Sequence, residues 1–96
     1  MTKYPNETIA INQQGLKFIK NNSNKKALNI FREGIKKYPN DFRLNYNLAH
    51  LLYDLGKNKE ALKFIKKTRQ HMKNVQPYGD WLSNVYQLKE AIKRKL

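Results

Sequence analysis

Cysteine is absent from all 96 residues, which excludes disulfides, thiolate metal sites and a thiol nucleophile outright. Histidine is scarce, and His50 and His71 fall in different helical segments. The seven carboxylates, Glu7, Glu33, Asp41, Asp54, Glu60, Asp80 and Glu90, are scattered, and none joins a histidine in an HExxH-like pattern. Asp54 follows His50 by four residues, a spacing that reads as a helix-surface contact, because a metal site needs at least three ligands. Glycines occur singly at 15, 34, 56 and 79, so no phosphate-cradling loop exists. Long apolar runs are missing too, which argues against a membrane span. The start, MTKYPNETIAINQQ, lacks the charged head and apolar run of a secretory signal. These absences predict a cytoplasmic, non-enzymatic protein with no metal and no cofactor.

What is present suits one folded domain over residues 1–96, with 40% apolar and 28% charged residues. The formal net charge is +13, from 16 lysines and only 4 arginines against those seven carboxylates, and there are 12 asparagines. Such a balance admits two readings. It favours nucleic acid, an anionic membrane surface or an acidic protein partner. It is equally the residue usage of an AT-rich genome, with lysines spread over solvated helix faces.

Self-similarity organises the chain. Lys3-Tyr4-Pro5-Asn6 recurs 34 residues later as Lys37-Tyr38-Pro39-Asn40. In the same register Asn24-Lys25 matches Asn58-Lys59, and Ala27-Leu28 matches Ala61-Leu62. Within each unit the apolar spacing is helical. Ile11, Gly15, Phe18 and Ile19 share one face, as do Ala27, Leu28, Phe31 and Ile35 in the next segment. The second unit gives Leu44, Leu48, Leu51, Leu52 and Leu55, a break at Gly56, then Ala61, Leu62, Phe64 and Ile65. The polar run Asn21-Asn22-Ser23-Asn24 suits the end of one helix and the cap of the next. Gly56 suits the left-handed residue just past a helix end, and Pro39-Asn40-Asp41 a stop followed by a cap. Trp81, Val85, Leu88 and Ile92, with Leu82 and Tyr86 beside them, predict a final helix capped by Asp80.

These residues resemble the tetratricopeptide repeat family over about residues 8 to 75. Small residues at Gly15 and Ala49 are each followed three positions later by a large one, Phe18 and Leu52. Twelve positions after each small residue come Ala27 and Ala61, then Phe31 and Ile65, then Gly34 and Thr68, with Pro39 closing the first repeat. Small side chains let two helices approach closely, and large ones fill the space beside them. The sequence departs from the pattern where Ile11 and Asn45 replace an early tryptophan, and where Lys73 stands for a closing proline that comes late as Pro77. The resemblance implies an all-α superhelix of five helices: repeat one at 8–41, repeat two at 42–75, and a capping helix at 80–95. With only two repeats, pairing of two copies and membership of a longer array both stay open.

The resemblance also implies a concave groove lined by the first helix of each repeat. Its residues here are Asn12, Gln13, Leu16 and Lys20, then Arg43, Tyr46, Asn47, His50 and Tyr53. The latter five stand three or four apart on one helical stripe. Tyrosine offers area with a polar handle, and asparagine satisfies a peptide backbone, so the expected partner is a peptide or helical segment of another protein, an acidic one among the candidates. A clamp for chaperone C-termini is incomplete, since Asn12 stands where its first lysine belongs and a third repeat is missing. The second helices would form a convex basic face of Lys25, Arg32, Lys36, Lys37, Lys59, Lys63, Lys66 and Lys67. That face supplies the alternative function, electrostatic binding of RNA or DNA.

Overall fold

The computed structural model describes residues 6–72 and 81–96. The first Lys-Tyr-Pro-Asn motif up to Pro5, and Lys73, Pro77 and the expected cap Asp80, lie outside those residues. Five α-helices follow in order: α1 (Asn6–Lys20), α2 (Asn24–Lys37), α3 (Phe42–Asp54), α4 (Asn58–Met72) and α5 (Trp81–Lys95). As in tetratricopeptide-like stacks, α1 packs with α2, α2 with α3, α3 with α4 and α4 with α5.

Close packing at one glycine sets the first hairpin. A Cβ on Gly15 would lie 2.3 Å from both Cε1 and Cζ of Phe31, a ring with 0% exposure. The ring therefore rests directly on the α1 backbone. The residues 34 positions on are Ala49 and Ile65, both fully buried. A larger small residue there meets a smaller large one, so the two hairpins keep one register with different volumes. Gly34 seats α2 between its neighbours, since a Cβ there would lie 3.0 Å from Ile11 and 3.4 Å from Leu44. The core continues through Leu44, Leu48, Leu51 and Leu52 to Met72, and ends with Val85, Leu88 and Ile92 of α5. Burying each such side chain is worth roughly 1.5–3 kcal/mol, which explains why apolar spacing overrides the lysine-rich composition of the helices.

The connections repeat as well. After α1, Asn22 adopts φ 61°, the Ser23 N–H donates to Phe18 O at 2.8 Å, and the Asn22 N–H donates to Ile19 O at 3.0 Å. After α3, Gly56 adopts φ 79°, with Lys57 N–H donating to Leu52 O at 2.8 Å and Gly56 N–H to Tyr53 O at 3.0 Å. Both are Schellman closures, and their left-handed residues stand 34 apart. Asparagine is the non-glycine residue best suited to that conformation. The expectation for Gly56 thus holds. That for the polar run holds in part: Ser23 precedes α2 but its side chain makes no cap bond, because its backbone at φ −101°, ψ 60° is outside the usual cap geometry.

Asp41 behaves as expected, its Oδ1 accepting from Leu44 N–H at 3.0 Å. Asn45, in the place of the missing tryptophan, is fully buried. Its Nδ2 donates to Pro39 O at 3.1 Å and to Asp41 O at 2.8 Å, pinning the turn between the repeats.

Candidate functional site

The helices form two layers with different spacing. Helices α1 and α3 come within 8 Å of each other between Cα atoms, as do α3 and α5, whereas among the described residues α2 and α4 do not. Crowding on one side and splaying on the other curve the stack, which puts α1, α3 and α5 on the concave side. The final helix thus fulfils the expectation of a cap and also supplies the third wall of the groove.

Three adjoining concavities lie along this wall. The first, about 250 Å³, is bounded by Ile9, Asn12, Gln13 and Leu16 of α1, Arg43 and Asn47 of α3, and Trp81 of α5. The second, about 350 Å³, shares Leu16 and Asn47 with the first and runs past Ile19, Tyr46, Leu51 and His50 to Asp54. The third, about 230 Å³, lies between Tyr46, His50 and Tyr53 on one side and Asn84, Gln87, Leu88 and Ala91 on the other. Two large apolar side chains are left standing in water at this surface, Ile9 at 39% and Leu16 at 50% exposure.

Eight of the nine expected groove residues border these concavities. Asn12 and Asn47 are joined, Asn47 Nδ2 donating to Asn12 Oδ1 at 2.6 Å across the α1–α3 contact. Arg43 is half-buried and its guanidinium lies 5.8 Å from the Phe42 ring centre. Tyr46 is partly a packing residue, standing edge-on to Trp81 at 5.0 Å between ring centres, and burial raises its phenol pKa. His50 is exposed and its Nδ1 lies 3.1 Å from Asp54 Oδ2, the helix-surface pair that the spacing suggested. Gln13 is exposed on α1 and Tyr53 half-buried facing α5. Lys20 is exposed at the last residue of α1 and borders none of these three concavities.

Sequence reasoning missed the contribution of α5. Trp81 was expected only in the capping stripe; it lies edge-on between Phe42, at 5.1 Å, and Tyr46, and closes one end of the groove. Asn84 and Gln87 add side-chain amides from the same helix. The signal was present in the polar residues on the flank of that stripe. Tyr86, expected beside the stripe, is 51% exposed instead.

The opposite layer is basic, with exceptions. Lys25, Lys36, Lys59, Lys63 and Lys66 are exposed, as the basic face required. Arg32 is not available as a free cation: it donates to Glu60 at 2.6 Å, bridging α2 to α4, and the pair raises the arginine pKa and lowers that of the glutamate. Lys37 is likewise committed, donating to Glu7 at 2.7 Å while Tyr38 Oη donates to the other carboxylate oxygen at 2.5 Å. Lys67 is half-buried over the ring of Phe64, 5.3 Å from its centre.

Among the described residues no three histidine, aspartate or glutamate side chains converge as a metal site would require. No helix among them is long and apolar enough to cross a membrane. The tetratricopeptide repeat family model matches residues 18–79, well over half of the chain. No curated protein matches the sequence significantly. No catalytic family was detected.

Proposed function

Because the chain belongs to the tetratricopeptide repeat family, whose members are generally protein–protein interaction modules, we propose that its α1–α3–α5 groove holds a peptide or helical segment of a partner protein. The observation that carries this reading is the pairing of Leu16 and Ile9, left exposed, with the Trp81 edge at the same concavity. Exposed apolar side chains ringed by amides have the composition of a recognition surface: an apolar anchor gives affinity, and Asn12, Gln13 and Asn47 give polar partners for a backbone. Arg43 and the overall positive charge favour a segment carrying carboxylates.

The test is capture from nuclease-treated host lysate, comparing the parent chain with Leu16→Glu. Leu16 is half-exposed, so the substitution leaves the core intact while placing a charge at the anchor site. A defined protein retained by the parent and lost from Leu16→Glu supports the groove. Equal retention by both places the interface elsewhere. Tyr46→Ala is a poorer probe, since it also removes the packing of Trp81.

A further inference from the structure

The positive charge is sorted between the two layers. Helices α2 and α4 carry ten cations and two carboxylates, while α1, α3 and α5, about half as long again in total, carry seven cations and three carboxylates. Exposure does not account for this. Of ten exposed positions on α2 and α4, seven are lysine; of nineteen on α1, α3 and α5, four are lysine. Residue usage set by genome composition alone would load both layers alike. One of the two carboxylates on the basic side, Glu60, is neutralised by Arg32, and Glu33 lies 3.5 Å from Lys36.

We infer that the outer face of α2 and α4 binds the phosphate backbone of a nucleic-acid duplex. Three features select this occupant. A membrane surface holds amphipathic elements by exposed apolar side chains, but among the described residues the exposed large apolar ones are Ile9, Leu16, Leu55, Tyr86 and Leu96, none of them on α2 or α4. Lysine is depleted at protein–protein interfaces, whereas a phosphate backbone needs only point charges. Single strands are held by stacking on exposed rings, yet Phe64, the aromatic between these lysines, is 7% exposed beneath Lys63 and Lys67. A convex strip of lysines without readers of bases fits a duplex backbone contacted irrespective of sequence. This surface is separate from the groove, so either inference stands without the other.

Fluorescence polarisation of the full chain with short labelled DNA and RNA duplexes of arbitrary sequence tests the inference. Engagement of about five phosphates predicts a log–log salt slope near −4.5 and a loss of roughly 500-fold in affinity between about 50 and 200 mM salt. Lys63→Gln/Lys66→Gln should reduce that slope by about two and weaken binding about tenfold or more at low salt. Lys17→Gln/Lys20→Gln removes the same charge from α1 and should change affinity less than about twofold if the outer face is the site. Leu16→Glu should leave duplex binding on the outer face. All four lysines are exposed, and unchanged circular dichroism verifies folding. Equal losses from both lysine pairs would overturn the inference, because net charge and not a face would then be binding. Absence of duplex binding would overturn it too, as would vesicles rich in anionic lipid binding through Lys63 and Lys66 in its place.

Discussion

Replacing Gly15 by alanine sets two physical effects against each other. In an open helix the change is favourable by about 0.8–1 kcal/mol, because alanine loses less backbone entropy. Here the new methyl would stand 2.3 Å from two carbons of the Phe31 ring, against an ordinary separation of about 3.5–4.0 Å. The ring is fully buried, so it must withdraw by more than about 1 Å into occupied space, or the two helices must part. Overpacking of this kind costs about 1–3 kcal/mol, and a rigid ring with no exit belongs at the upper end. The net expectation is a loss of about 1–2 kcal/mol, or roughly 5–15 °C in Tm for a domain of this size. Phe31→Ile alone leaves a void and should lose about 1–3 kcal/mol. The double variant Gly15→Ala/Phe31→Ile installs the pair that the second hairpin already uses at Ala49 and Ile65. It should be at least as stable as Phe31→Ile, which implies a favourable coupling of about 1–3 kcal/mol. Urea unfolding followed by circular dichroism measures all four proteins. A Gly15→Ala protein more stable than the parent, or single effects that add within about 0.5 kcal/mol, would refute the close-approach account.

Other parts of the fold give sharper single tests. Asn22→Gly, at φ 61°, should stabilise by up to about 1 kcal/mol, while Gly56→Ala, at φ 79° with no neighbour within 4 Å of the added methyl, should lose about 1–2 kcal/mol from backbone strain alone. Asp41→Ala should lose about 1 kcal/mol with its cap bond, read from the same unfolding curves. The Arg32 pair holds the Glu60 pKa below its ordinary value of 4.5, so its stabilisation is present above that pH and is lost as pH falls through the lowered value. Both side chains are about one-third exposed, which limits the effect to less than about 1 kcal/mol. Glu60→Gln should flatten that part of the acid limb, and an unchanged limb would mean that the pair is solvated in both states.

How far the sequence reached follows from the range of the interactions involved. Periodicity and the 34-residue register are local, and they located the helices, the Gly56 closure, the Asp41 cap and the alternation of small and large core residues. Ser23 shows the limit even locally: residue type suited a cap, but with its N–H engaged in the Schellman closure its backbone lies outside cap geometry and its side chain makes no cap bond. Partners 28 to 35 residues apart were beyond reach. The Arg32–Glu60 and Asn12–Asn47 pairs depend on how each helix is rotated in the stack, which residue spacing does not give. Trp81 was legible as apolar, but its place at the groove mouth depends on where α5 docks against α3. Exposed Leu16 was read on the groove side from the family pattern, while Ile9 was visible only once the concavity was built.

The most direct test of the groove is a titration of the isotope-labelled chain with the segment that the captured partner contributes, followed by amide and indole chemical shifts. The earliest and largest changes should fall on Asn12, Leu16, Asn47 and the Trp81 indole, with α4 around Lys63 and Lys66 undisturbed. Changes centred on α2 and α4, with those groove resonances fixed, would contradict it.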